Sequence, residues 1–399
     1  MKRVMKAGVL AFMAVVGVST QILAATPFRP TDPEFVVAQL PGGASRSRDR
    51  FAGQLEQSRL DARLAARLAA ELLEQARTAL QPQLYGRAEK VLAPWMARPD
   101  APAGLLLIQA DILQQRHEFQ QAVQLLGRVV AGDSRAGRAR LMRANIEIVT
   151  GQFEQARPDC AWLLGSGDTW TGTVCLAEVL GSTGQIERAR MLLDRLLAND
   201  APGLSPEVLA WTLEVRADFA VRAGSLPEAE RCLSRAMALT PASDYLRLAL
   251  SDVLTKEGHA DEAARILDTA RPSVGALLRR VEILGGLAAG RAGSRTREYE
   301  GALVDLRERL AVSAQRGERT HLREEARLAL ALSQNPVETL TLAMQDFAVQ
   351  RETEDVRILA QAAAAARDRA ALGQLQQWIR RTGYQDVVVE QLLNTEHPS

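Results

Sequence analysis

The stretch WTLEVRADFAVRAGSLPEAERCLSRAMALTP, Trp211–Pro241, decides the fold. Leu213 and Ala217 lie four residues apart, as do Ala229 and Leu233, and Ala236 follows three further on. Each set shares one face of a helix. Gly224 supplies the positive φ that ends the first helix, and Pro241 stops the second. The stretch reads as two helices joined by a tight turn. The same pattern extends to either side. Ala88, Ala122, Ala156, Ala189, Ala229 and Ala263 are separated by 34, 34, 33, 40 and 34 residues. A period near 34 marks stacked helix–turn–helix units.

The surroundings of each alanine repeat as well. Gly151, Gly184, Gly224 and Gly258 stand five residues upstream in four units. Tyr85, Phe119, Phe153, Ile186 and Leu226 stand three upstream. Leu92, Leu126, Cys160, Leu193, Leu233 and Leu267 follow four later, and Ala76, Ala110, Ala144, Ala177, Ala217 and Ser251 precede by twelve. Small residues let two helix backbones approach, and large ones fill the grooves beside them. One pair cannot bury its apolar stripe alone, so neighbours must stack.

In these positions the chain resembles the tetratricopeptide repeat (TPR) family over roughly residues 58–273. With the recurring alanine at position 20 of the family's unit, position 8 is small and position 24 is bulky or cysteine in all six units. The resemblance implies an all-α fold, a right-handed α-solenoid of stacked antiparallel helix pairs in a TPR-like superhelix. It also implies a noncatalytic role, binding a protein or peptide partner in the concave groove. In the family, position 9 faces that groove. Here it holds Asp111, Asn145, Glu178, Asp218 and Asp252, with Arg77 in the first unit. Such a row favours a ligand offering amides or cations. Trp211 and Tyr245 at position 2 are the expected apolar anchors. In the other reading the acidic row pairs with arginines of adjacent helices and the aromatics belong to the core.

Two departures carry structural expectations. The long interval before Ala229 places an extra loop at Asn199–Pro206. Pro158 falls inside a second helix, which it should start late or kink. Beyond Pro272 the phase is lost, yet helical patterning continues. Residues 276–382 read as three divergent pairs: 276–289 with 296–316, 320–333 with 336–350, and 353–367 with 370–382. The tail, 383–399, reads as a cap or as a docking segment.

Lys2, Arg3 and Lys6 precede an apolar run from Ala7 to Val18, which is too short for a standard span. Residues 1–25 therefore read as a secretory signal, residues 26–54 as an extended lead-in rich in Pro and Gly, and residues 55–275 as the repeats. The expected location is the periplasm, with an inner-membrane anchor by an uncleaved signal as the alternative. An exported chain can form disulfides. Cys160 and Cys175 fall on neighbouring antiparallel helices, where a bridge and two buried thiols both fit the sequence.

The charge balance, 49 basic against 48 acidic residues, lacks the footprint of a nucleic-acid binder. No zinc, haem or phosphate-loop motif is present. His117, His259, His321 and His397 have no motif partner and read as solvated loop residues. No catalytic, cofactor or metal residue is expected. The function that follows is an adaptor in cell-envelope assembly. The alternatives are a fixed subunit of an envelope complex using its convex face or termini, and a small-molecule or glycan-related activity in a cleft. Mass spectrometry of the exported protein is expected to find a mature chain beginning at Ala25 or Thr26.

Overall fold

The computed structural model describes residues 44–78, 81, 83–133, 135–198, 203–288 and 294–395. The signal, residues 1–25, and most of the lead-in lie outside them. Twenty helices and no strand occupy the described residues. α1 (Ala44–Ser58) precedes nine pairs. The first four are α2 (Ala62–Thr78) with α3 (Gln83–Met96), α4 (Ala103–Gln115) with α5 (Phe119–Gly132), α6 (Gly137–Val149) with α7 (Phe153–Gly165), and α8 (Thr169–Ser182) with α9 (Ile186–Ala198). The fifth and sixth are α10 (Pro206–Arg222) with α11 (Leu226–Leu239), and α12 (Asp244–Lys256) with α13 (Ala260–Leu267). The three divergent pairs are α14 (Val274–Ala288) with α15 (Ser294–Gln315), α16 (Leu322–Ala331) with α17 (Pro336–Val349), and α18 (Thr353–Ala365) with α19 (Arg369–Thr382). α20 (Val387–Thr395) ends the stack.

The repeat residues are where close packing requires them. All six recurring alanines are fully buried, as are Leu92, Leu126, Cys160 and Leu193. First helices pack directly on one another: α2 on α4, α6 on α8, α8 on α10, α12 on α14, α14 on α16 and α16 on α18. Second helices mainly touch the helices just before and after them. The stack therefore curves with its first helices inside. Seven of the pairs turn at a described left-handed residue. Gly151, Gly184, Gly224 and Gly258 hold it as expected, and His117, Ser333 and Arg367 hold it in pairs that lack the glycine.

Two expectations change, and one open alternative closes. α1 covers residues 44–58, so the lead-in is not extended to residue 54; the Trp95 indole donates to the Ser58 carbonyl and ties α1 to the first pair. α7 begins at Phe153 despite Pro158, because the buried Phe153 and Ala156 hold its first turn in place. The tail is a cap: Val389 and Leu393 of α20 enter the core that α18 and α19 share with pairs three and four. Cys160 and Cys175 are both fully buried, with Cα atoms 5.3 Å apart and sulfurs 1.93 Å apart, at bonding distance.

Successive turns of the superhelix touch edge to edge. Arg271, in the α13–α14 link, donates through Nη1 to the carbonyls of Arg77 and Thr78 at 2.7 and 2.9 Å. Arg351, in the α17–α18 link, donates to Val149 through its backbone and to Thr150 through Nη1. Gly383 lies against the Gly184 turn so closely that a Cβ on Gly184 would stand 3.1 Å from its carbonyl oxygen. Arg222, at the end of α10, reaches the Gln385 carbonyl. Each contact spans roughly five to six pairs, the length of one superhelical turn. Beside the end of α4 the turns part around a cavity of about 1380 Å³, lined by Arg77, Tyr85, His117, Arg319 and His321 among others.

A Cβ on Gly172 would lie 2.3 Å from the Leu164 backbone nitrogen, whereas one on Gly286 meets nothing within 4 Å. Gly172→Ala is expected to lower stability by about 2 kcal/mol or more by forcing α8 off α7. Gly286→Ala is expected to raise it by about 0.5–1 kcal/mol. Chemical denaturation of both variants checks the contrast.

Candidate partner-binding groove

The inner wall is built from first helices, so it carries positions 2, 5 and 9 of each unit. Intramolecular partners take three of the five position-9 side chains. Arg77 Nη2 lies 2.5 Å from Asp111 Oδ1. Thr353 Oγ1 donates to Asp218 Oδ1 at 2.7 Å, and Arg222 stands 3.7 Å from the other oxygen. Asp252 sits between Arg279 and Arg327, at 2.5 and 2.6 Å. Local pairing with arginines thus describes Asp111 and Asp252, and the last pair occupies Asp218.

The Asp252 cluster extends across four pairs. Arg327 bridges Asp252 and Glu282 and approaches Glu354 at 3.5 Å, and Lys256 stands 3.8 Å from Glu354. Burial pushes the Asp252 carboxyl up, but Arg279, Arg327 and Lys256 outweigh it and hold the group well below the usual range. In the next pair of inner helices Arg323 forms ion pairs with Asp355 and Glu352. These arginines and glutamates carried no repeat signal. α14, α16 and α18 lie beyond the region where the 34-residue phase is readable.

The other two position-9 residues remain open. Asn145 is half-buried, and its sealed Oδ1 has no hydrogen-bond partner. Glu178 is half-buried and lies beside the Trp211 indole. Burial, then the Glu214 and Asp218 charges, push its carboxyl up to about 8. Glu214, at position 5 of the next unit, lies beside the Tyr245 hydroxyl and is pushed up to about 7, chiefly by burial. Among the described residues, neither glutamate forms an ion pair. Tyr245 is 58 % exposed although its hydroxyl lies beside Glu214. Trp211 is half-buried and packs on two core clusters. The structure therefore links the sequence-derived residues as two couples, Trp211–Glu178 and Tyr245–Glu214. Glu214 is the member that the position-9 row left out.

No known protein-family profile matches the chain, and no curated protein does. Solved structures that it resembles include a tetratricopeptide repeat protein from Parabacteroides merdae, at 15% identity over 63% of this chain and 99% of that one, with a TM-score of 0.40. A thermophilic TPR protein from Thermus thermophilus matches at 18% identity over 53% and 98%, with a TM-score of 0.36. The Cut9–Hcn1 hetero-tetramer of the APC/C matches at 12% identity over 78% and 59%, with a TM-score of 0.48. The repeat architecture described above rests on this chain's own helix order and packing.

The two raised glutamates fix a pH dependence. The folded chain holds more protons than the unfolded chain from about pH 4.5, their ordinary value, up to about pH 8. Stability contributed by these groups therefore falls as pH rises through that window. Glu178→Gln is expected to be more stable than wild type near pH 8.5 and to lose that advantage near pH 5, as read from urea midpoints.

Proposed function

We propose that the chain is a noncatalytic scaffold that holds a partner protein segment against the inner wall of pairs three to six, in the envelope compartment to which its N-terminal segment directs it. The observation that carries this reading is the Tyr245–Glu214 couple beside Glu178. An exposed ring whose hydroxyl lies beside Glu214, next to carboxyls that form no ion pair among the described residues, is a surface prepared for something else. An extended segment fits this wall by its chemistry. A lysine or arginine side chain of such a segment matches Glu178 and Glu214. An exposed aromatic ring anchors a partner at low entropic cost, having few rotors to freeze. Assembly of an envelope complex is the setting that best unites export with a binding solenoid.

A second reading has its own observation. The cavity of about 1380 Å³ between the first two pairs and α14–α16 has room for a small molecule or a glycan unit, lined by paired arginines and acids. Thermal stabilisation by such a molecule without any protein partner is the sign that favours it.

Tagged wild type and a Glu214→Gln, Tyr245→Ala double variant, both folded by circular dichroism, are to be compared in co-purification from envelope extracts. The partner is expected with wild type only. Equal recovery with both overturns the inner-wall reading and favours a fixed subunit that uses its convex face. Asp252 is unsuitable for this test, because removing its charge takes from Arg279 its carboxylate partner and from Arg327 one of three.

A further inference from the structure

A metal-ligand set lies away from the groove, at the junction of pairs five and six. Glu230 is on α11, directly after the packing alanine Ala229. Glu257 is the residue that closes α12, and His259 begins the approach to α13. Gly258 between them has φ +85°, the reversal that ends the first helix of the pair. That reversal lets residues on both sides of the glycine return toward α11. One ligating atom from each of Glu230, Glu257 and His259 lies within 4.8 Å of the other two.

One further observation concerns Glu257. Its Oε2 is sealed from solvent and has no hydrogen-bond partner. An oxygen that no donor satisfies, beside a second carboxylate and an imidazole, is a place for a cation. A divalent ion there takes the histidine nitrogen as well.

We propose that Glu230, Glu257 and His259 form a three-ligand site for a divalent transition-metal ion, Zn²⁺ by the mixture of one imidazole and two carboxylates. The ion joins the second helix of pair five to the turn of pair six, and water completes its coordination. It acts as a staple between repeats and leaves the inner wall untouched. Ca²⁺ and Mg²⁺ fit less well, since both prefer all-oxygen sets. The sequence spacing concealed the site, because 27 residues separate Glu230 from Glu257 and no short motif spans them.

The test is isothermal titration of the metal-free full-length mature chain with ZnCl₂ at about pH 7.5, alongside Glu230→Gln and His259→Ala. Wild type is expected to bind one equivalent saturably. Each variant is expected to bind at least about tenfold more weakly, following the cost of losing one ligand. Co²⁺ substitution adds a spectroscopic check: absorption in the visible range with wild type and its loss with His259→Ala. Binding should weaken in acid, because metal ligands bind in their deprotonated forms. Absence of saturable Zn²⁺ binding to wild type overturns the proposal. Equal affinity and stoichiometry in wild type and both variants overturn it too, by placing the ion elsewhere. Both substitutions are at solvent-accessible side chains, so circular dichroism is expected to report folded variants.

Discussion

The structure depends on arginines that donate to the carbonyls left over at the ends of the inner helices. The last four carbonyls of any helix lack intrahelical donors and carry the negative end of the helix dipole. Here the ends of α2 and α6 are met by Arg271 and Arg351 from the following superhelical turn, and the end of α10 by Arg357. Arg222, itself at the end of α10, closes α8 through the Gly181 carbonyl and reaches Gln385. A hydrogen bond from a charged donor contributes about 1.5–3 kcal/mol. Each contact also fixes the pitch, because a guanidinium reaches a carbonyl only when the two turns lie side by side. The solenoid is thereby closed on itself rather than left as an open spring.

That closure explains the fate of the polar inner wall. A wall that curls back on itself brings like and unlike charges from distant repeats within a few ångströms of one another. Asp252, Glu282, Arg279, Arg327 and Glu354 come from four pairs and neutralise one another. Such a network specifies which pairs face each other, and removing one member leaves the others buried and uncompensated. Where the network ends, Glu178 and Glu214 form no ion pair among the described residues, and burial raises their proton affinities. The binding surface inferred here is thus the part of the wall that the chain's own closure leaves unsatisfied.

Closure also accounts for the last three pairs. Phe153 of pair three and Phe347, Trp378 and Tyr384 of the C-terminal region meet in one aromatic group, with Trp378 at its centre. Arg222 lies over the Tyr384 ring, 4.2 Å from its centroid. A repeat normally buries its apolar face against the next repeat. Pairs eight and nine bury part of theirs against pairs three and four, one superhelical turn away, while pair seven packs on its sequence neighbours and α20 covers the remaining edge. Their sequences are accordingly released from the 34-residue template, which is why the phase is lost after Pro272.

The sequence by itself determined the helices, their pairing and the turns between them. It also placed the buried alanines, the facing pair Cys160 and Cys175, and even the bounds of the divergent pairs within a few residues. These features depend on neighbours within about one repeat, where a local period is a physical constraint. It named Trp211, Tyr245, Glu178 and Asn145 as groove residues, because one residue per repeat on one helix face must line that face. Only the tertiary structure decided which of them stay available. Asp218 meets Thr353 across 135 residues and Asp252 meets Arg327 across 75. His259 meets Glu230 because one glycine reverses the chain between two helices. Small per-repeat rotations add up over five or six pairs to set such meetings, and a repeating pattern records the rotation at no single residue.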